Sequence, residues 1–149
     1  MEWIVSFAAS WILFVFLVDL KKLKVNIWCG ILSILFQMSV DIIYINHGYY
    51  KITNPVVPVF GSSLFFMLGP VFVIGILLAQ FHPSKKWMRL LYVLLLSIFG
   101  DFEEHFLTMR NALVYTNWSF AASAVINLIV MVALSWFAIV ILKRGEAVN

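Results

Sequence analysis

The stretch 25–45, VNIWCGILSILFQMSVDIIYI, decides the fold. It holds one charged residue, Asp41, and follows directly on Lys21, Lys22 and Lys24. A helix of that length rises about 31 Å, enough to cross a hydrocarbon layer of roughly 30 Å. A helix apolar on nearly every side needs an apolar solvent, and the rest of the chain points to lipid. Apolar residues are 64% of the 149 and charged residues 11%, against roughly 45–50% and 25% in soluble domains. Mean hydropathy is +1.02. Four further runs read as spans, at about 3–20, 60–81, 87–107 and 118–142. The expected fold is an all-α membrane protein, a five-transmembrane-helix bundle forming one domain over 1–149. The fourth run is the least regular, because Gly100 to His105 complete it with polar residues, and a re-entrant segment is its alternative.

Basic residues are retained on the cytoplasmic side. Lys21, Lys22, Lys24, Lys85, Lys86, Arg89, Lys143 and Arg144 sort to one side, and Lys51 and Arg110 to the other. This sets the N-terminus outside and the C-terminus in the cytoplasm. Met1-Glu2 supplies no basic leader, so the first run reads as an anchor that stays. The pI near 9.1 arises in these short loops, and nucleic acid is not an expected partner. Trp3, Trp28, Trp87 and Trp118 fall near span ends, as interfacial belts require. Pro70 removes the donor that would bond to the Phe66 carbonyl, so a kink is expected at Gly69-Pro70. Gly61, Ser62 and Ser63 permit close helix approach. Cys29 reads as an inert small apolar residue, and His47 and His82 as loop residues.

Ionisable residues within spans are costly and usually face the bundle interior. Glu2, Asp19 and Glu146 are terminal or interfacial; Asp41, Asp101, Glu103, Glu104 and His105 are not. Ser33, Gln37, Asp41 and Tyr44 form one polar stripe at helical spacing; Asp101, Glu104, His105 and Thr108 form another, with Glu103 pointing elsewhere. Counted from the inner face, Asp41 lies about 24 Å up and Glu104 about 25 Å. Both reach one outer level, beside Ser62 and the loops carrying Tyr50 and Trp118, with Asn127 at the floor. The expectation is an acidic pocket near the outer leaflet built from Asp41, Asp101, Glu104, His105, Gln37, Ser62 and Asn127. The alternative is a fourth helix emerging into water, its acids merely hydrated.

An offset of 63 residues sets Lys22 on Lys85, Phe36 on Phe99, Asp41 on Glu104, and Thr53-Asn54 on Thr116-Asn117. A parallel duplication of a two-span unit, with a fifth span left over, would place a site at the repeat interface. No phosphate loop, catalytic serine order or paired-cysteine motif is present. Asp101 and His105 share a helical face, and Asp41 would complete a metal set, but the spacing is common and no metal is assigned. Asp41, Asp101 and Glu104 are alternatively suited to proton transfer.

The segments Asn26-Ile27-Trp28-Cys29-Gly30-Ile31-Leu32, Phe60-Gly61-Ser62-Ser63 and Gly69-Pro70-Val71-Phe72-Val73, with Asn117-Trp118, resemble a family of short multi-pass membrane proteins of spore-forming Firmicutes. The resemblance implies a bacterial cell membrane and no particular activity. Asp101-Phe102-Glu103-Glu104-His105-Phe106 is similar to the acidic span motif of membrane-bound lycopene-type terpene cyclases, without the proline that usually precedes it. That likeness implies acid catalysis on an isoprenoid or lipid. Two expectations follow. One is a membrane protein binding a lipid, a cation or a partner helix, alone or as a homodimer; the other is a membrane-embedded enzyme.

Overall fold

The computed structural model describes residues 1–144; Glu146 lies outside the described residues. Five helices carry the fold, which is all-α: α1 (Glu2–Leu17), α2 (Leu20–Asn46), α3 (Leu64–Gln80), α4 (Lys86–Met109) and α5 (Phe120–Val140). Between them lie four short strands, β1 (Tyr50–Ile52), β2 (Pro58–Val59), β3 (Ser62–Ser63) and β4 (Leu113–Tyr115). Of the helices, α2 and α5 are long and apolar enough to cross a membrane, whereas the sequence led us to expect five such spans. The shortfall has local causes. α1 stops after 16 residues, and Asp19 caps α2 at once by accepting from the Lys21 amide at 2.9 Å, a stabilising N-cap. Lys21, Lys22 and Lys24 are therefore in the first turns of α2 rather than in a loop. Residues 60–63 of the expected third span belong to a hairpin, in which Phe60 and Gly61 both have positive φ, the condition for a tight type I′ turn. α4 is one unbroken helix, and its C-terminal half holds Asp101, Glu103 and Glu104.

The bundle has apolar cores but also carries apolar side chains outward and small polar ones inward. Ile12, Val15, Phe16, Trp28, Leu95, Ile98, Phe102, Val125, Ile129 and Trp136 are exposed, while Ser6, Ser10, Asn26, Ser33, Asp41, Ser97, Ser123 and Ser135 are buried. The most apolar windows of α2 and α5 are only 22% and 28% buried. A soluble protein's core helix of such hydropathy would be mostly covered. α3 breaks where expected: Gly69 has non-helical φ −96° and ψ −105° just before Pro70. A Cβ on Gly69 would come within 2.9 Å of the Phe7 Cα, so the break is also where α1 crosses close.

The 63-residue offset reappears in the backbone. α2 ends at Asn46 and α4 at Met109. Each is followed by a left-handed residue, Gly48 and Asn111, that closes a Schellman turn: Tyr49 N to Tyr44 O in one, Ala112 N to Leu107 O in the other. β1 and β4 then pair antiparallel with Lys51 opposite Val114, themselves 63 apart. The flanking bonds are reciprocal, Thr53 N to Ala112 O and Thr116 N to Tyr49 O. The two helix-turn-strand segments thus follow one pattern and pair about a local two-fold axis between Lys51 and Val114.

Candidate functional site

That axis brings the ends of α2 and α4 together over a cavity of about 100 Å³. From α2 come Ser33, Gln37 and Asp41; from α4, Glu103 and Glu104; from α5, Ser123 and Asn127; Tyr50, Trp3, Trp118, Pro70 and Ile74 complete the wall. Among the described residues no lysine or arginine lines it. Asp41 is 1% exposed. Its Oδ1 accepts from the Tyr50 hydroxyl at 2.6 Å and from Gln37 Nε2 at 2.9 Å. Its Oδ2 has no other close partner, and the fully buried Ser62 hydroxyl, itself without another acceptor, is the donor placed beside it. Glu104 is better supplied: its Oε1 accepts from Tyr115 at 2.6 Å and Ser123 at 2.5 Å, and its Oε2 from Asn127 Nδ2 at 3.1 Å. Glu103 accepts from Ser6 of α1.

Of the residues expected at the site, Asp41, Glu104, Gln37 and Asn127 line the cavity. Asp101 joins through Asn127, which donates to it at 2.8 Å, and Ser62 stands behind Asp41. His105 does not take part. It is exposed and lies edge-on to Phe120 at 5.8 Å, because one helical step from Glu104 swings a side chain by about 100°. Glu103, expected to point away, instead lines the cavity, since α1 approaches α4 on that side. A metal set of Asp41, Asp101 and His105 is not formed; among the described residues no three His, Cys, Asp or Glu side chains converge on a metal position. Tyr50 and Tyr115 escaped the sequence reading as acid partners, though a tyrosine just past each acidic helix end was the available signal.

Both phenols stay protonated across the ordinary pH range. Burial raises the Tyr115 pKa to about 12, with the Glu104 carboxylate adding to it. Burial raises that of Tyr50 further, with the charge of Asp41 second. Each is therefore a fixed donor to its acid. Three carboxyl groups around a cavity without a basic residue create a site that a proton or a cation would stabilise. No known protein family, curated protein or solved structure matches this chain.

Proposed function

We propose that the protein crosses a bacterial cell membrane several times, with its N-terminus outside, and holds a small cationic group in the acidic cavity near the outer rim. Multiple crossing is supported by the exposed apolar side chains of α1, α2, α4 and α5 and by the basic residues gathered near the α1–α2 and α3–α4 connections. α1 and α3, too short or too kinked to satisfy a length rule alone, pack on each other against α2, and α4 turns its acids inward. The observation that carries the binding reading is that Asp41, Glu103 and Glu104 line one cavity with no basic side chain to neutralise them. Asp41 Oδ2 is buried with only the neutral Ser62 hydroxyl beside it, so no positive charge compensates the carboxylate, and a charged donor would stabilise it. The ligand chemistry that fits is a primary ammonium group, compact and carrying three donors. A cavity of about 100 Å³ is below the roughly 300–1,000 Å³ of sites that enclose a drug-sized ligand. By itself the acidic cavity holds a small head group rather than a whole isoprenoid, which is the ground for preferring a binding reading to a cyclase-like enzyme.

The test is thermal unfolding of the protein in neutral detergent with butylammonium chloride. Tetrabutylammonium chloride at equal ionic strength, with a cation too bulky for the cavity, is the reference. At ten times its Kd the small amine stabilises by about 1.4 kcal/mol, a Tm rise of about 4 °C for a chain of this size. Asp41→Asn and Glu104→Gln should remove that rise. Equal curves in both salts for the unaltered protein would refute the reading.

A further inference from the structure

A second cavity, about 240 Å³, backs onto the first. Its walls are Ser10, Leu13 and Leu17 of α1, Val73, Ile74 and Leu77 of α3, and Leu96 and Phe99 of α4, and it shares Pro70 and Ile74 with the acidic cavity. The one polar side chain, Ser10, already donates to the Ser6 carbonyl at 2.8 Å, so the wall is effectively hydrocarbon. Leu13, Leu17 and Phe99 at its mouth are exposed, which opens the cleft sideways between α1 and α4. At its outer end the Ser6–Glu103 hydrogen bond bridges those two helices, and Glu103 lines the acidic cavity as well.

We propose that this cleft binds the hydrocarbon chain of an amphiphile whose protonated amine sits in the acidic cavity. The inference rests on the cation reading above and adds the ligand class, a long-chain amine or an amine-headed lipid entering from the bilayer. The two cavities meet end to end at the α3 break, apolar below and acidic above, which is the polarity of such a molecule. Ser10 to Leu17 spans about 10 Å along α1. A volume of 240 Å³ takes about eight groups the size of a water molecule or a methylene, hence one chain segment. In lipid the chain gains nothing from leaving water; its affinity comes from packing and from being tied to the amine.

The experiment compares dodecylammonium, butylammonium, dodecanol and dodecyltrimethylammonium, the last matching chain and micelle charge with a head group that offers no donors. Each is titrated against Tm in neutral detergent. Dodecylammonium should half-saturate at about tenfold lower concentration than butylammonium, and dodecanol and dodecyltrimethylammonium should stabilise little. Leu96→Trp fills the cleft and should erase the tenfold advantage while butylammonium binds as before, which also shows that the variant folds. If Leu96→Trp leaves the dodecylammonium titration unchanged, or if the long and short amines bind alike, the cleft proposal is overturned with the cation reading intact. A dimer in sedimentation that Leu96→Trp dissociates would also overturn it, by giving the cleft to a second copy. Failure of both amines overturns the two readings together.

Discussion

Two helix seams in this molecule handle the same problem in opposite ways. α2 lies on α3 with glycine against glycine: a Cβ on Gly75 would meet Ser33 Oγ at 2.5 Å, the Cys29 carbonyl at 2.8 Å and the Gly30 Cα at 2.9 Å. At the opening between α1 and α4 the facing side chains are large instead, Leu13 and Leu17 of α1 with Leu96 and Phe99 of α4. Their bulk denies a second helix the same close approach, and a cleft remains. Where lipid supplies no hydrophobic drive between helices, small residues decide which pairs close. The closed seam holds the helix that carries Asp41; the open one borders the Ser6–Glu103 hydrogen bond.

The sharpest way to break this comparison is Gly75→Ala. Two of the three atoms its Cβ would meet are backbone, so the helices must separate, at a cost of about 1–3 kcal/mol. Gly100→Ala on the other arm meets nothing within 4 Å and should gain up to about 1 kcal/mol of helix stability. Unfolding in a detergent–denaturant series reads both, and equal effects would show that the α2–α3 seam is not tightly closed.

The two acids give the next contrast. Tyr50→Phe removes one of the two donors that Asp41 Oδ1 has in a fully buried place, at a cost of about 1–2 kcal/mol. Tyr115→Phe leaves Glu104 with Ser123 and Asn127, and should cost about 0.5–1 kcal/mol. If the order is reversed, Asp41 is not the more dependent carboxyl.

The residue pattern foretold the all-α class and the break at Pro70, and it grouped Asp41 with Glu104, which line one cavity. Helical periodicity and the 1.5 Å rise are local rules, and these features need nothing more. The strands were out of reach: Tyr50–Ile52 and Leu113–Tyr115 are three residues each and exist through pairing with each other across the repeat. The Glu103 partner was hidden for a related reason. A helix wheel gives angles around one axis, and only the crossing of α1 at Gly69 determines which side of α4 meets Ser6. His105 shows the converse error, a polar residue grouped with its neighbours when its own face belongs to the surface.

The inner end of the bundle offers the smallest effect and a pH signature distinct from the acids. His82, in the α3–α4 turn, is buried; its Nε2 lies 2.8 Å from Ser135 Oγ and its Nδ1 3.2 Å from the Pro83 carbonyl. The neutral ring satisfies both, with Nδ1–H donating to the carbonyl and Nε2 accepting from the serine hydroxyl. Burial lowers the His82 pKa, with the Arg89 charge pressing the same way against the Pro83 hydrogen bond. The unfolded chain therefore takes up the proton first. Stability from this group is complete above the unfolded histidine value of roughly 6.5 and falls as pH drops through the interval down to the lowered folded value. Tm measured from pH 8 to 5 should decline below about 6.5, and His82→Gln should flatten that part of the decline. Protonation of the outer carboxyls lies at the other end of the molecule, so the decline due to His82 should persist unchanged in Asp41→Asn. If Asp41→Asn flattens it instead, the acidic cavity and not the inner turn governs the response to mild acid.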